Sequence, residues 1–183
     1  MTTTNTTQLP LVAGRWAIDS AHSTVGFAVR HLGVAKVRGR FTRFDADVVI
    51  GQTLEDTSVT ATIELASVDT GNADRDAHVQ ADDMVDVAKR PTIEFRSTRI
   101  TGAGTDWSLE GDATIGDVTK PLTLAVELGG VEAFPGGPRH AGFEATGELR
   151  RSDYDIAPGI PAAMLGDVIK IQLDLELLEP AAP

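Results

Sequence analysis

The sequence predicts an all-β fold, with about eight or nine antiparallel strands closed into a barrel or sandwich and a short helical excursion near residues 72–88. Apolar and polar residues alternate over most of the chain, as in 169–177, where isoleucines and leucines alternate with Lys, Gln, Asp and Glu. One apolar and one polar face per strand is typical of an antiparallel sheet with one face in water. Short turns with Gly, Asp and Pro separate the alternating segments.

The composition is that of one globular domain. The chain has 183 residues, of which 42% are hydrophobic and 23% charged, and it has no cysteine. These values exclude general disorder, disulfide scaffolds and thiolate metal sites. The net charge of −11 argues against nucleic acid as the main partner and equally against docking on an anionic membrane.

The positive charges are concentrated in residues 15–44. This stretch contains one acid and six basic residues: Arg15, Arg30, Lys36, Arg38, Arg40 and Arg43. Two interpretations stay open. The stretch could serve a small anionic ligand, or it could be a solvated strand edge that carries protective charges.

The chain divides into one folded domain and two tails. We expect a flexible N-terminal tail over 1–13, the barrel domain over 14–178 and a C-terminal tail over 179–183. No apolar stretch approaches the ~20 residues of a membrane span. The N-terminus has no signal-peptide pattern, which predicts a cytoplasmic protein.

Alternation predicts strands over 15–19, 23–31, 38–50, 58–65, 92–100, 107–115, 122–128, 140–150 and 169–177. The third segment changes phase, because Phe41 is at an odd position whereas Phe44 and Val48 are at even ones. An extra residue would restore a common face, so we predict a β-bulge or sharp bend near Thr42 and Arg43.

Residues 70–90 break the alternation. Asn72 is suited to cap a short helix. On that helix Arg75, His78 and Val79 share one face, because they are three and four residues apart. A helical excursion between two barrel strands is well placed to cover one mouth of the barrel.

His31 ends the apolar row of its strand. It is either a core histidine bonded to a backbone carbonyl or a polar group at the rim of a cavity, where it would orient a ligand headgroup. Arg75 and His78 could complete that rim, or Arg75 could pair with Asp69 or Asp86. The four histidines have no paired metal-ligand spacing, so we expect no metal site.

Small residues occupy two of the inward rows. Gly111 and Ala113 follow Trp107 and Leu109 in one row, and Ala145 and Gly147 lie in the row that begins at 141. Large residues at one end and small ones in the middle predict a tapering hollow, which in a barrel of about eight strands could hold one small ligand.

Four blocks of the sequence resemble the YceI-like polyisoprenoid-binding family over about residues 16–177. They are 16–23 continuing through Phe27, His31 and 39–41; 72–78 leading to 91–95; Gly116 through Thr119, Lys120 and Pro121; and Gly142-Phe143 leading to 151–154. Two positions depart from the family pattern. Met84-Val85 replaces a common Phe-Phe pair, and Asp155 stands where a Gly commonly follows the aromatic residue.

The resemblance implies a lipocalin-like antiparallel barrel that binds a long-chain isoprenoid, such as a polyprenyl diphosphate or an isoprenoid quinone, for carriage, storage or sequestration. It implies a binding role without catalysis and with no cofactor besides the lipid ligand. We expect the chain of the ligand to contact Phe27, Phe41, Met84, Val85, Phe95, Trp107, Phe143 and Ala145. We expect its headgroup to contact His31, Arg75 and His78.

Three alternatives stay open. No hydrolase or nucleotide-binding motif is present, but His31 could serve as the base of a hydrolase or isomerase. It could also be an axial haem ligand. Alternatively, a fully packed barrel could act as a protein-interaction module through its acidic surface. A homodimer is compatible with the sequence, which does not determine the oligomeric state.

Overall fold

The computed structural model describes residues 9–181. It contains eleven strands, one α-helix and two short 3-10 turns. The strands are β1 Gly14–Ile18, β2 Thr24–His31, β3 Ala35–Phe41, β4 Phe44–Ile50, β5 Ser58–Glu64, β6 Val68–Asp69, β7 Thr92–Ala103, β8 Asp106–Ile115, β9 Val118–Ala133, β10 Arg139–Arg150 and β11 Leu165–Leu178. Helix α1 is Ala73–Gln80, and the 3-10 turns are Leu65–Ser67 and Arg151–Tyr154.

The strands form a closed antiparallel barrel. The hydrogen-bonded ring runs β1-β4-β5-β7-β8-β9-β10-β11 and closes through the pairing of β1 with β11. The ring therefore has eight strands, which confirms the predicted fold class. Such closure leaves no unpaired edge in the ring.

Strands β2, β3 and β6 lie outside the eight-strand ring. They form a three-stranded extension of the sheet that pairs with β11 through β2. Both β1 and β2 pair with β11, and β3 lies between β2 and β6. The predicted bend is present, because β3 ends at Phe41 and β4 begins at Phe44. Ser67 stabilises the bend through its Oγ, which accepts a hydrogen bond from the Arg43 backbone N–H at 3.0 Å.

One end of the barrel is closed by packed side chains. Leu9 and Leu11 are buried there beside Trp16, whose indole N–H donates to the Val12 carbonyl at 3.0 Å. Leu9 and Leu11 therefore pack on the barrel, although they lie in the segment expected to be a flexible tail. The sequence did not predict this packing, because two leucines on either side of a proline are too few to show a hydrophobic periodicity. Residues 1–8 of that tail lie outside the described residues.

The segment after β6 crosses the other end. Asn72 caps α1 as predicted, with its Oδ1 accepting the Arg75 backbone N–H at 2.9 Å. The helix ends at Gln80, eight residues before the predicted limit, and residues 81–91 form turns. Arg90 ties these turns to the second 3-10 turn by donating to the backbone carbonyls of Val85 and Tyr154. None of the helices in 9–181 is long and apolar enough to cross a membrane.

Candidate ligand-binding site

The barrel encloses an apolar cavity of about 550 Å³. Its wall consists mainly of aliphatic and aromatic side chains from the ring strands and from β2 and β3. The exposed lining residues are His31, Asp45, Arg75, His78 and Met164, which come from β2, the start of β4, α1 and the segment before β11. The cavity therefore opens at this end, opposite the cluster around Trp16.

Glycines on the wall make room for neighbouring aromatic rings. A Cβ at Gly39 would lie 2.4 Å from Cζ of Phe27, and a Cβ at Gly111 would lie 2.4 Å from Cζ of Phe95. Both rings lie over a glycine and so flatten against the wall. Gly111 and Gly147 lie in the predicted inward rows, but the Phe95 ring covers Gly111 and the Leu124 side chain covers Gly147, so neither glycine itself lines the cavity. The cavity depends on these glycines because they leave room for the neighbouring side chains to lie against the wall.

All eight residues expected to contact an apolar chain line the cavity. They are Phe27, Phe41, Met84, Val85, Phe95, Trp107, Phe143 and Ala145. Their positions follow from strand alternation and, for Met84 and Val85, from the turns after α1. Phe27 packs on Phe41 with ring centroids 5.4 Å apart, and Trp107 packs on Phe143 at 5.8 Å. Contact with a ligand remains a prediction for all eight.

The three residues expected at the polar end also line the cavity. His31 is the last residue of β2 and is exposed, so it is not a core histidine bonded to a backbone carbonyl. His78 lies in the last turn of α1, and its Nε2 is 3.1 Å from Oδ2 of Asp83. Arg75 faces the same cavity from the first turn of α1.

Arg75 is held by a neutral residue. Its Nε donates to Oγ1 of Thr70 at 2.8 Å, and its Nη2 donates to the Thr70 carbonyl at 2.9 Å. Asp69 and Asp86 pair instead with Arg40 and Lys89, so neither proposed partner of Arg75 is its partner. Within residues 9–181 the guanidinium has no carboxylate within ion-pair distance, and three of its five N–H donors have no partner.

Arg151 was missed by the sequence analysis although it also lines the cavity. It is buried, and its guanidinium donates to five backbone carbonyls, of Gly166, Ile156, Ala157, Ile160 and Leu165. All five acceptors belong to the loop before β11 or to the start of that strand. Arg151 therefore holds this side of the opening in shape, and its donors are already occupied.

The turn after Arg151 keeps the backbone conformation that a glycine would favour. Asp155 has φ 51° and ψ 39°, in the left-handed region that aspartate tolerates better than most residues. The Tyr154 hydroxyl donates to the Ala113 carbonyl at 3.2 Å. Burial raises the pKa of this phenol, with a further contribution from Asp153, so it stays a neutral donor.

A second polar cluster lies away from the cavity. Ligand atoms of Asp19, His22 and Glu176 lie within 4.8 Å of one another and could hold a cation. Hydrogen bonds already account for the arrangement, because His22 Nδ1 is 2.9 Å from Asp19 Oδ2 and His140 bonds Glu176. The bond to Asp19 raises the pKa of His22, and the bond to His22 lowers the pKa of Asp19.

Comparison with known proteins assigns the family. The model of the YceI-like domain matches residues 16–177. The chain belongs to the YceI-like family. Protein YceI of Escherichia coli O17:K52:H18 (strain UMN026 / ExPEC) is 36% identical over 162 residues, which cover 86% of this chain and 85% of that protein. UPF0312 protein plu2095 of Photorhabdus laumondii is 35% identical over 147 residues, covering 79% of this chain and 77% of that protein.

Two solved structures share this fold. The YCEI protein of Campylobacter jejuni has a TM-score of 0.76 at 29% identity, covering 83% of this chain and 90% of that one. A polyisoprenoid binding domain from Saccharophagus degradans has a TM-score of 0.67 at 14% identity, covering 92% and 100%. The second likeness concerns the fold alone. The lipocalin-like barrel predicted from the sequence is thereby confirmed.

Proposed function

We propose that this YceI-like protein binds a long-chain isoprenoid, a polyprenyl diphosphate or an isoprenoid quinone, inside its barrel for carriage, storage or sequestration. The observation that carries the proposal is the apolar cavity of about 550 Å³, open at one end. This volume lies within the range of about 300–1,000 Å³ that is typical of ligand pockets.

The apolar wall of the cavity is suited to a long apolar chain. Burying roughly twenty methylene-equivalents at about 0.8 kcal/mol each gives nominally ~16 kcal/mol. Immobilising a flexible chain offsets much of this gain, so we expect micromolar to nanomolar affinity.

We further propose that Arg75, His31 and His78 bind the headgroup. The three N–H donors of Arg75 that have no partner in residues 9–181 and the exposed His31 ring lie at the open end, where the head of an inserted lipid would remain. A guanidinium without a carboxylate partner is suited to phosphate, because its N–H groups match the spacing of phosphate oxygens. His78 is the weaker candidate because it already contacts Asp83.

The alternatives have less support. A packed interaction module does not account for a cavity of this size. A hydrolase or isomerase with His31 as base needs a second titratable group that faces the ring. Asp45 and His78 also line the cavity, but Asp45 Oδ1 accepts the Ala46 N–H at 2.9 Å and His78 Nε2 contacts Asp83, and within residues 9–181 neither is hydrogen-bonded to His31. The family and the similar folds point to a binding protein.

Mass spectrometry of an organic extract tests the proposal. The protein is purified without detergent from cells, extracted into chloroform and methanol, and analysed beside an extract of a packed β-barrel protein purified in the same way. We expect a lipid with the mass spacing of isoprene units, at close to one molecule per protein. An extract indistinguishable from the control, or one that contains only fatty-acyl lipids, would contradict the isoprenoid assignment.

A further inference from the structure

We infer that the hairpin joining β2 and β3 docks on membranes with anionic headgroups, so that the cavity opening meets the lipid surface. We call residues 30–38 the docking tip. The inference rests on the proposed function, because it names the surface from which the barrel would take its lipid. Three features of the tip carry it: exposed apolar side chains, an uncompensated positive face and its position at the opening.

Large apolar side chains are exposed at the end of the tip. Leu32 is 52% exposed and Val34 is 81% exposed. Leu32 is joined to Met164, itself 53% exposed, because the Leu32 N–H donates to the Met164 carbonyl at 2.9 Å. Within residues 9–181 these three account for most of the strongly exposed large hydrophobic residues. A cluster of this kind marks an interaction surface.

The turn keeps Leu32 at the tip in an unfavourable backbone conformation. Leu32 has φ 52° and Gly33 has φ 68°, and the Val34 N–H donates to the His31 carbonyl at 3.2 Å. Such turns favour Asn or Gly at both positions, and a bulky residue there is strained. Asn or Gly in this turn would relieve the strain and would be better solvated. Exposure to water therefore does not account for a leucine at position 32.

The outer face of the tip carries positive charges without partners. Arg30 lies directly opposite Lys36, and Arg38 is two residues further along β3 on the same face. None of the three has a carboxylate within ion-pair distance in residues 9–181, whereas Arg40 and Lys170 nearby pair with Asp69 and Glu148. Like charges directly opposite each other destabilise a hairpin. Anionic headgroups would neutralise the charges of this face.

The tip leads directly to the cavity. His31 pairs with Ala35 next to the turn and lines the opening together with Met164. The net charge of −11 opposes the approach of the whole protein to an anionic surface. Asp74, Asp82 and Asp83 around α1 add to this repulsion. Only an approach led by the docking tip combines local attraction with apolar insertion, so the charge distribution would orient the opening towards the membrane.

Vesicle sedimentation tests the inference. The protein is mixed at low salt with phosphatidylcholine vesicles that contain either no or about one third phosphatidylglycerol. We expect binding to the anionic vesicles only, and loss of that binding at high salt. The triple variant R30Q/K36Q/R38Q should bind about a hundredfold more weakly, since each cation near such a surface is worth about fivefold in affinity. L32S/V34S should also bind more weakly while keeping the salt dependence.

A matched control carries the same change of net charge elsewhere. R15Q/R96Q/R99Q neutralises three exposed arginines on β1 and β7 and should bind vesicles like the unmodified protein. Equal loss in both triple variants would overturn the inference, as would equal binding to neutral vesicles. No binding to anionic vesicles would also overturn it and would favour a protein with an acidic surface as the occupant.

Binding of free geranylgeraniol without vesicles separates this inference from the proposed function. The docking-tip variants should bind the alcohol normally, because their side chains do not line the cavity. If the unmodified protein binds anionic vesicles but no prenyl lipid, the proposed function fails and the docking surface stands. If it binds the prenyl lipid but no vesicles, the docking inference fails and the proposed function stands.

Discussion

The ring of Phe95 lies across Gly111 on the adjacent strand, so closely that a Cβ at position 111 would fall 2.4 Å from Cζ of Phe95. The same relation links Phe27 to Gly39. Aromatic rings laid over glycines compensate for the missing side chains of the strand and keep the rings out of the barrel centre. The volume of the cavity therefore depends on residues that do not themselves face open space.

Gly111→Ala should reduce both stability and cavity volume. The new methyl group would push the buried Phe95 ring inwards, and overpacking of this kind typically costs about 1–3 kcal/mol. Urea unfolding measures the loss. Gly130→Ala is the matched control, because a Cβ there meets nothing within 4 Å. Equal midpoints for the two variants would contradict the contact.

Arg151→Met should destabilise the protein strongly. The substitution removes the Arg151 donor from five carbonyls, of which that of Ala157 still accepts the Ile160 N–H, and each buried group left unsatisfied costs about 1–3 kcal/mol unless water reaches it. We expect a loss of at least ~3 kcal/mol in urea unfolding. Arg150→Gln is the control, because its ion pair with Asp167 is exposed and such pairs contribute at most about 1 kcal/mol. A loss at Arg151 no larger than at Arg150 would refute the structural role.

Stability should decline on the acid side and on the alkaline side. Hydrogen bonds lower the pKa of the carboxyls of Asp19, Asp86, Asp167 and Glu179 below their ordinary values of 3.8 for Asp and 4.5 for Glu. Their contribution is present above those values and is lost as the pH falls through the folded pKa values. His22 has a raised pKa, so its contribution is present below 6.5 and is lost as the pH rises through the folded value.

Urea midpoints at about pH 3, 5.5 and 8 test this profile, with the highest midpoint expected at the middle value. Asp19→Asn is the diagnostic variant. It removes the larger of the two influences that raise the pKa of His22, those of Asp19 and Glu176, so the decline between the middle and the alkaline value should shrink. An unchanged alkaline decline in that variant would show that His22 is not its source.

Arg75→Ala should separate the headgroup from the chain. Loss of one charged hydrogen-bond partner costs roughly 1.5–3 kcal/mol, so affinity for geranylgeranyl diphosphate should fall about tenfold to a hundredfold. Affinity for the matching alcohol should hardly change, because the apolar contribution does not depend on the rim. His31→Ala should show the same pattern, and Arg96→Ala on the outer face of β7 is the control. Equal losses for both ligands would mean that Arg75 supports the fold through Thr70.

Local signals in the sequence predicted most of the fold. Alternation located the ring strands, the phase change between Phe41 and Phe44 located the bend, and Asn72 located the start of α1. These features depend on neighbouring residues, which a single sequence displays. Strand β9 was underestimated, because Pro121 and the glycines after Leu128 weaken the pattern of a strand that extends over Val118–Ala133.

The parts of the site that depend on distant backbone could not be predicted. The acceptors of Arg151 are backbone carbonyls. Every residue has one, so the sequence does not show which of them bind Arg151, and their positions depend on the path of the loop before β11. Glu176 joins Asp19 and His22 only because β11 pairs with β1 and β2. The inward rows were predictable from strand phase, whereas the rings that cover Gly39 and Gly111 follow from side-chain rotamers across neighbouring strands.

Equilibrium binding of radiolabelled geranylgeraniol to Ala145→Trp and Thr146→Trp tests the central claim most directly. Both substitutions add the same indole at adjacent positions of β10, but Ala145 lines the cavity whereas Thr146 is exposed on the outer face. The account predicts that Ala145→Trp abolishes binding, because the indole occupies the space of the lipid chain, and that Thr146→Trp binds like the unmodified protein. Undiminished binding by a folded Ala145→Trp protein would contradict a ligand site inside the barrel.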